Sequence, residues 1–105
     1  MRFDITPSVR HLMKAMAAPA TATEIVMSVG QWRLYWGQQR KLRMTLTPAY
    51  GGKSCIVRVS DKGLTAYKNE ISTCFPTEKD SLLQVLHEHF NRHARTACDG
   101  ALAKA

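Results

Sequence analysis

GQWRLYWGQQRKLRMTLTPAYGGKSCIVRVS, residues 30–60, holds six Lys and Arg, two Trp and two Tyr, and no Asp or Glu. Its side chains alternate. In WRLYW (32–36), Trp32, Leu34 and Trp36 share one face of a strand, while Arg33 and Tyr35 share the other. In KLRMTLT (41–47), Leu42, Met44 and Leu46 oppose Lys41, Arg43, Thr45 and Thr47. In SCIVRVS (54–60), Cys55, Val57 and Val59 oppose Ile56 and Arg58. Each strand pairs an apolar face with a polar one, and every charge on the polar face is positive.

Turn signals separate these runs. EIVMSV (24–29) precedes a turn at Gly30-Gln31, Gly37 to Arg40 turn the chain again, and PAYGG (48–52) is a loop. DKG (61–63) is a hairpin turn into LTAYKNEISTCF (64–75), one strand or a pair broken near Lys68-Asn69. Outside the sheet the period is helical. Thr6 and Pro7 start a first helix whose Val9, Leu12, Met13 and Met16 form one apolar stripe, and Pro19 ends it. Thr77 and Asp80 approximate a capping box for a longer second helix with Leu82, Leu83, Leu86 and Phe90 on one side.

The pattern predicts an α+β fold in a single domain, 1–105. An antiparallel sheet of about five strands (24–29, 32–36, 41–47, 54–60 and 64–75) is flanked by an N-terminal helix, 7–17, and a longer C-terminal helix, 78–97. The apolar face of the sheet must be covered, and the C-terminal helix carries the matching stripe. That makes the two Trp core residues. It leaves Arg33, Tyr35, Arg43 and Arg58 on an open face, with Arg40, Lys41, Lys53 and Lys62 near its loops.

The chain of 105 residues is 45% apolar and 22% charged, the composition of an ordinary globular protein. No apolar run reaches the ~20 residues needed to cross a bilayer. Residues 5–18 carry Arg10, His11 and Lys14 where a secretory leader must be apolar, so no leader is expected. Three widely spaced cysteines, Cys55, Cys74 and Cys98, suit a reducing cytoplasm better than a disulfide scaffold.

The net charge is +7, and it is uneven. Residues 1–68 hold eleven Lys and Arg against three acids, whereas 69–105 hold four against five. Asymmetry of this kind predicts an acidic partner. A cluster of Lys and Arg without interspersed acids gains affinity for phosphates by releasing condensed counterions. Arg presents a planar fork to phosphate oxygens, and an exposed Tyr35 or Tyr50 stacks on an unpaired base.

The helix, sheet, helix order with a basic sheet is similar in outline to double-stranded-RNA-binding modules. Those modules open their second helix on a Lys-rich stretch, where this chain reads TEKDSLL (77–83), and the family is not assigned. Three strands followed by a helix, with FPTEKDS (75–81) at the junction, resemble in architecture the sheet-reading DNA-binding domains of plant regulators and phage integrases.

HEHFNRH (87–93) raises the question of a metal. His89 and His93 stand four apart on one helix, and Cys98 or a strand cysteine would be a third ligand, but the zincin spacing fails because Asn91 follows His87 by four. Both His89 and His93 fall within or beside the apolar stripe, which predicts core histidines bonded to a carbonyl or a Tyr hydroxyl. Neither a metal nor another cofactor is expected. No paired carboxylates, phosphate loop or catalytic triad is visible, so the expectation is a non-enzymatic protein.

Two functions compete. The first is a small basic protein that binds DNA or RNA, mainly through its backbone, with Arg33, Arg43 and Arg58 central, Tyr35 as stacking platform, and Arg40, Lys41, Lys53 and Lys62 flanking. The second is an inhibitor or adaptor of the phage or plasmid accessory type, docking on an acidic surface of a nucleic-acid-handling complex. A docking face would show apolar anchors such as an exposed Trp32, Trp36 or Leu64. Either a monomer or a homodimer fits.

Overall fold

A computed structural model of the chain describes residues 7–94, and within them the side chains of 12–92. Helix α1, Pro7–Ala17, leads through a short 3-10 turn at Pro19–Thr21 into five strands. These are β1, Glu24–Ser28; β2, Gln31–Trp36; β3, Leu42–Ala49; β4, Ser54–Asp61; and β5, Leu64–Ile71. Helix α2, Lys79–His89, follows and runs on as a π-helical turn, Phe90–Ala94, which makes the C-terminal helical segment the longer one. The α+β architecture expected from the sequence is the one observed.

The strands form one antiparallel meander in the order β1-β2-β3-β4-β5. Tight turns explain this. The β1–β2 hairpin turns at Val29 and Gly30, and the β4–β5 hairpin at Lys62 and Gly63, all four with positive φ. Two successive positive-φ residues give the turn whose twist matches that of the flanking strands. The first turn therefore sits one residue earlier than Gly30-Gln31. Pro48 is accommodated because β3 outruns β2: the β2 register ends at Trp32↔Leu46, so Pro48 pairs only with Cys55 of β4.

One face of the sheet is the core. Leu34, Met44 and Val59 lie in one row across β2, β3 and β4, with Trp32, Leu46 and Val57 in the next. Both helices lie on this side: Ala15 and Met16 of α1, Leu82 and Leu86 of α2 and Phe90 of the π-helical turn join these side chains in one buried cluster. Burying such stripes against the sheet removes apolar area from water at roughly 25 cal/mol per Å². Trp32 is buried and Trp36 half-buried, as expected of core residues. Their indole N–H groups donate to the Pro76 carbonyl at 2.9 Å and to Thr21 Oγ1 at 3.0 Å, which fastens both connectors to the sheet.

Two of these expectations need correction. β5 stops at Ile71 instead of reaching 75, because Thr73 N–H turns back onto the Ile71 carbonyl at 2.9 Å. The residue preceding α2 is Glu78, and it makes no side-chain cap, so the Thr77–Asp80 box is not formed. The capping role of Thr6 and the helix end expected at 97 lie outside the described residues.

Candidate nucleic-acid interface

The opposite face of the sheet carries three rows of side chains across the strands. Val26, Arg33, Thr45, Arg58 and Lys68 form the middle row. Glu24, Tyr35, Arg43, Ser60 and Thr65 form the row beside it, and Thr47, Ile56 and Glu70 part of the third. Strands lie about 4.8 Å apart, so Arg58 and Lys68 stand about 5 Å apart at the backbone and Arg33 about 10 Å from Arg58.

These rows enclose a shallow concavity of about 370 Å³ lined by Gln31, Arg33, Arg43, Thr45, Thr47, Ile56, Arg58, Ser60 and Lys68. Four cations line it and no carboxylate does. A second concavity, of about 450 Å³, shares Arg43 and Ser60 with the first and continues to Arg40, Lys41 and Lys62. The structure thus brings Arg33, Arg43 and Arg58 together, with Lys41 and Lys62 at one end. A backbone bond from Lys62 N–H to the Lys41 carbonyl, 2.8 Å, holds that end closed. Lys53 is exposed at the other end of the strands, in the turn after β3.

The arginines are held in different ways. The Gln31 amide oxygen accepts from Arg33 Nε at 2.9 Å and Nη2 at 3.0 Å, while its nitrogen donates to Thr47 Oγ1 at 3.0 Å. Arg58 Nε donates to Thr65 Oγ1 at 2.6 Å. Arg43 is half-buried, and its Nε has no hydrogen-bond partner among the described residues. A donor desolvated without an acceptor costs free energy.

Two of the expected contacts are different from the sequence reading. Tyr35 is no open platform: it is 9% exposed, and the Arg40 guanidinium lies over its ring at 5.0 Å from the centroid. Arg40 is in turn engaged by Glu24, with Nη2 at 2.7 Å and 3.0 Å from the two carboxylate oxygens. Its charge is partly met within the protein, which leaves it less available to an outside anion than Arg43 or Arg58. The aromatic that does stand free is Tyr50, 76% exposed beside Lys53.

Lys68 and Gln31 also line the first concavity and Thr65 holds Arg58, three residues that the strand alternation did not single out. Lys68 escapes a simple alternation because Ala66 is bulged: Ser60 pairs Thr65 while Val59 pairs Tyr67. Acids on this face are confined to its margins, Glu24 against Arg40 and Glu70 on the outer strand.

The histidine expectation is met by His89, which is 6% exposed with Nε2 at 2.8 Å from the Tyr67 hydroxyl. The His93 side chain and Cys98 lie outside the described residues. Among the described residues no three His, Cys, Asp or Glu side chains are grouped to hold a metal. Cys55 is buried, with Sγ 3.3 Å from the Thr73 carbonyl, and burial, then the neighbouring Cys74, pushes its thiol pKa up. Among the described residues no helix is long and apolar enough to cross a membrane.

Comparison with protein-family models, with curated proteins and with solved structures finds no match to this chain.

Proposed function

We propose that the protein is a non-enzymatic nucleic-acid-binding protein that lays the open face of its sheet against a sugar-phosphate backbone. One observation carries the reading: Arg33, Arg43, Arg58 and Lys68 line a single concavity without a carboxylate. A duplex or single strand presents closely spaced phosphates, and several cations held on one rigid sheet engage them together. Arg43 adds a half-buried guanidinium to this face, its Nε unpaired among the described residues. With Tyr35 covered by Arg40, base stacking falls to Tyr50, and contacts to the backbone dominate.

The alternative, an inhibitor or adaptor docking on an acidic protein surface, draws on one observation. Leu64 is 76% exposed in the hairpin beside Lys62 and is an available apolar anchor. The Trp residues do not add to it, since both indoles are bonded inside the protein.

Binding of the purified chain to labelled single- and double-stranded DNA and RNA over a salt series tests the proposal. A steep loss of affinity with salt, corresponding to roughly four neutralised phosphates, is the expected result. An absence of binding at low salt retires it in favour of the protein-docking alternative.

A further inference from the structure

Strand β5 pairs with β4 on one side, and among the described residues no strand covers its other edge. It is eight residues long, and only Tyr67 and Ile71 on it are even half-buried. A long exposed edge is a template for another strand. The other free edge, β1, is five residues long, and its Glu24 is already engaged by Arg40.

The backbone shows which β5 residues face outward. The Glu70 N–H donates to the Asn69 side chain, Oδ1, at 2.8 Å. An inward-facing position would give this N–H to a β4 carbonyl. Glu70 and, by the two-residue period, Lys68 therefore turn their backbone groups to the free edge.

We infer that this edge is a self-association surface whose occupant is a second copy of the chain, joined β5 to β5 about a two-fold axis through Asn69. An antiparallel register centred there places Lys68 opposite Glu70 of the partner subunit, and the reverse by symmetry. These are positions with outward backbone groups, so each pair exchanges both ladder hydrogen bonds. Charge selects this register over its neighbours: centring on Lys68 or on Glu70 sets like charges opposite one another. On the helix side of the sheet the same register sets Tyr67 opposite Ile71 of the partner subunit, an aromatic facing a β-branched residue. The two half-buried apolar side chains of the strand thus become each other's cover.

A second feature of the fold agrees. A groove of about 520 Å³ lies between the end of β5 and the flank of the C-terminal helical segment that carries Val85 and Glu88 of α2 and Arg92 of the π-helical turn. The axis that joins the strands turns the same flank of the partner's helix toward it in the antiparallel sense. Glu88 and Arg92, one helical turn apart and opposite in sign, are then complementary to their own copies. The product is one ten-stranded sheet with helices on one side and both basic faces on the other. The interface is a C2, self-complementary contact of the commonest kind, and it does not depend on what the basic face binds.

Sedimentation equilibrium of the full chain, without nucleic acid, tests this over a concentration series reaching the millimolar range. The wild type is expected to dimerise. Lys68→Glu and Glu70→Lys, each of which creates like-charge pairs at both symmetric positions, weaken the dimer roughly tenfold or more. The double variant Lys68→Glu with Glu70→Lys regains it, because the swapped charges are again complementary. A wild type that stays monomeric throughout, or a natively folded double variant that does not recover, overturns the inference.

Register is tested separately. Asn69→Cys, in a Cys74→Ser, Cys98→Ser background, sits on the axis as a pair not joined by ladder bonds, where backbones approach to about 4.5 Å. It should oxidise rapidly to a disulfide-linked dimer, whereas Lys68→Cys in the same background should not. Equal cross-linking at both positions rejects the register.

Discussion

The Tyr67 hydroxyl lies 2.8 Å from His89 Nε2, bridging the last strand and the end of α2 across the interior. The same hydroxyl accepts from Asn69 Nδ2 at 3.1 Å, and the Tyr67 ring is 5.7 Å from that of Phe90. Two side chains, His89 and Asn69, thus converge on one hydroxyl, while Phe90 packs against its ring. Tyr67→Phe keeps the ring and strips the oxygen, taking that partner from a nearly buried imidazole. We expect a loss of about 1–3 kcal/mol in urea unfolding. A variant as stable as the wild type would show that the bond contributes nothing to the fold.

The basic face is separable from the core. Arg43 and Arg58 both project on the uncovered side of the sheet, opposite the buried cluster. Arg43→Glu combined with Arg58→Glu is expected to abolish nucleic-acid binding while moving the thermal midpoint by only a few degrees, since surface changes typically cost little. A gel-shift titration alongside a thermal melt checks both halves. A collapse in stability would make these arginines structural.

The two tyrosines of the basic stretch should part company. Tyr50→Ala, at an exposed turn, is expected to leave stability unchanged and to weaken binding to single strands by about 1–3 kcal/mol, the contribution of one stacked base. Tyr35→Ala removes a buried ring and the surface on which Arg40 lies, so its cost appears in unfolding. Parallel fluorescence-anisotropy and denaturation series distinguish them. Equal behaviour of the two variants contradicts the burial difference.

Cysteine reactivity follows the same logic of cover. Cys74 is exposed, whereas Cys55 is buried with its thiol pKa raised by burial and by Cys74. At neutral pH an alkylating reagent is expected to label Cys74 rapidly and Cys55 only after denaturant is added. The sign of the linkage follows: the unfolded chain ionises this thiol first. The contribution of Cys55 is therefore intact below the ordinary thiol range and lost as pH rises through its raised folded value. Cys55→Ser should flatten that alkaline decline in stability.

The sheet was largely readable because three strands between 31 and 61 alternate cleanly, which assigns each residue to a face. Alternation says nothing about depth. Tyr35 falls on the polar face as the pattern requires, yet Arg40 folds back across it from a turn in which Arg40 itself has φ of 54°. Only the turn geometry brings that guanidinium over the ring. Lys68 is hidden for a related reason. The bulge at Ala66 shifts the period within β5, so Leu64 and Tyr67 share a face although they are three apart. The His89 assignment succeeded because helical angle alone places it beside Leu82 and Leu86, and a polar ring in that position requires a bonded partner.

A sheet in which every strand hydrogen-bonds to its immediate neighbour in the chain has a kinetic consequence. No strand waits for a distant one, since each hairpin closes a short loop and offers its free edge to the next segment. Pairing only between chain neighbours keeps the sequence separation of the strand contacts short, and we expect folding toward the rapid end of the range for mixed α/β domains. The one ordering that requires most of the chain is the meeting of α1 with α2 over the finished sheet, and we expect that closure to come late.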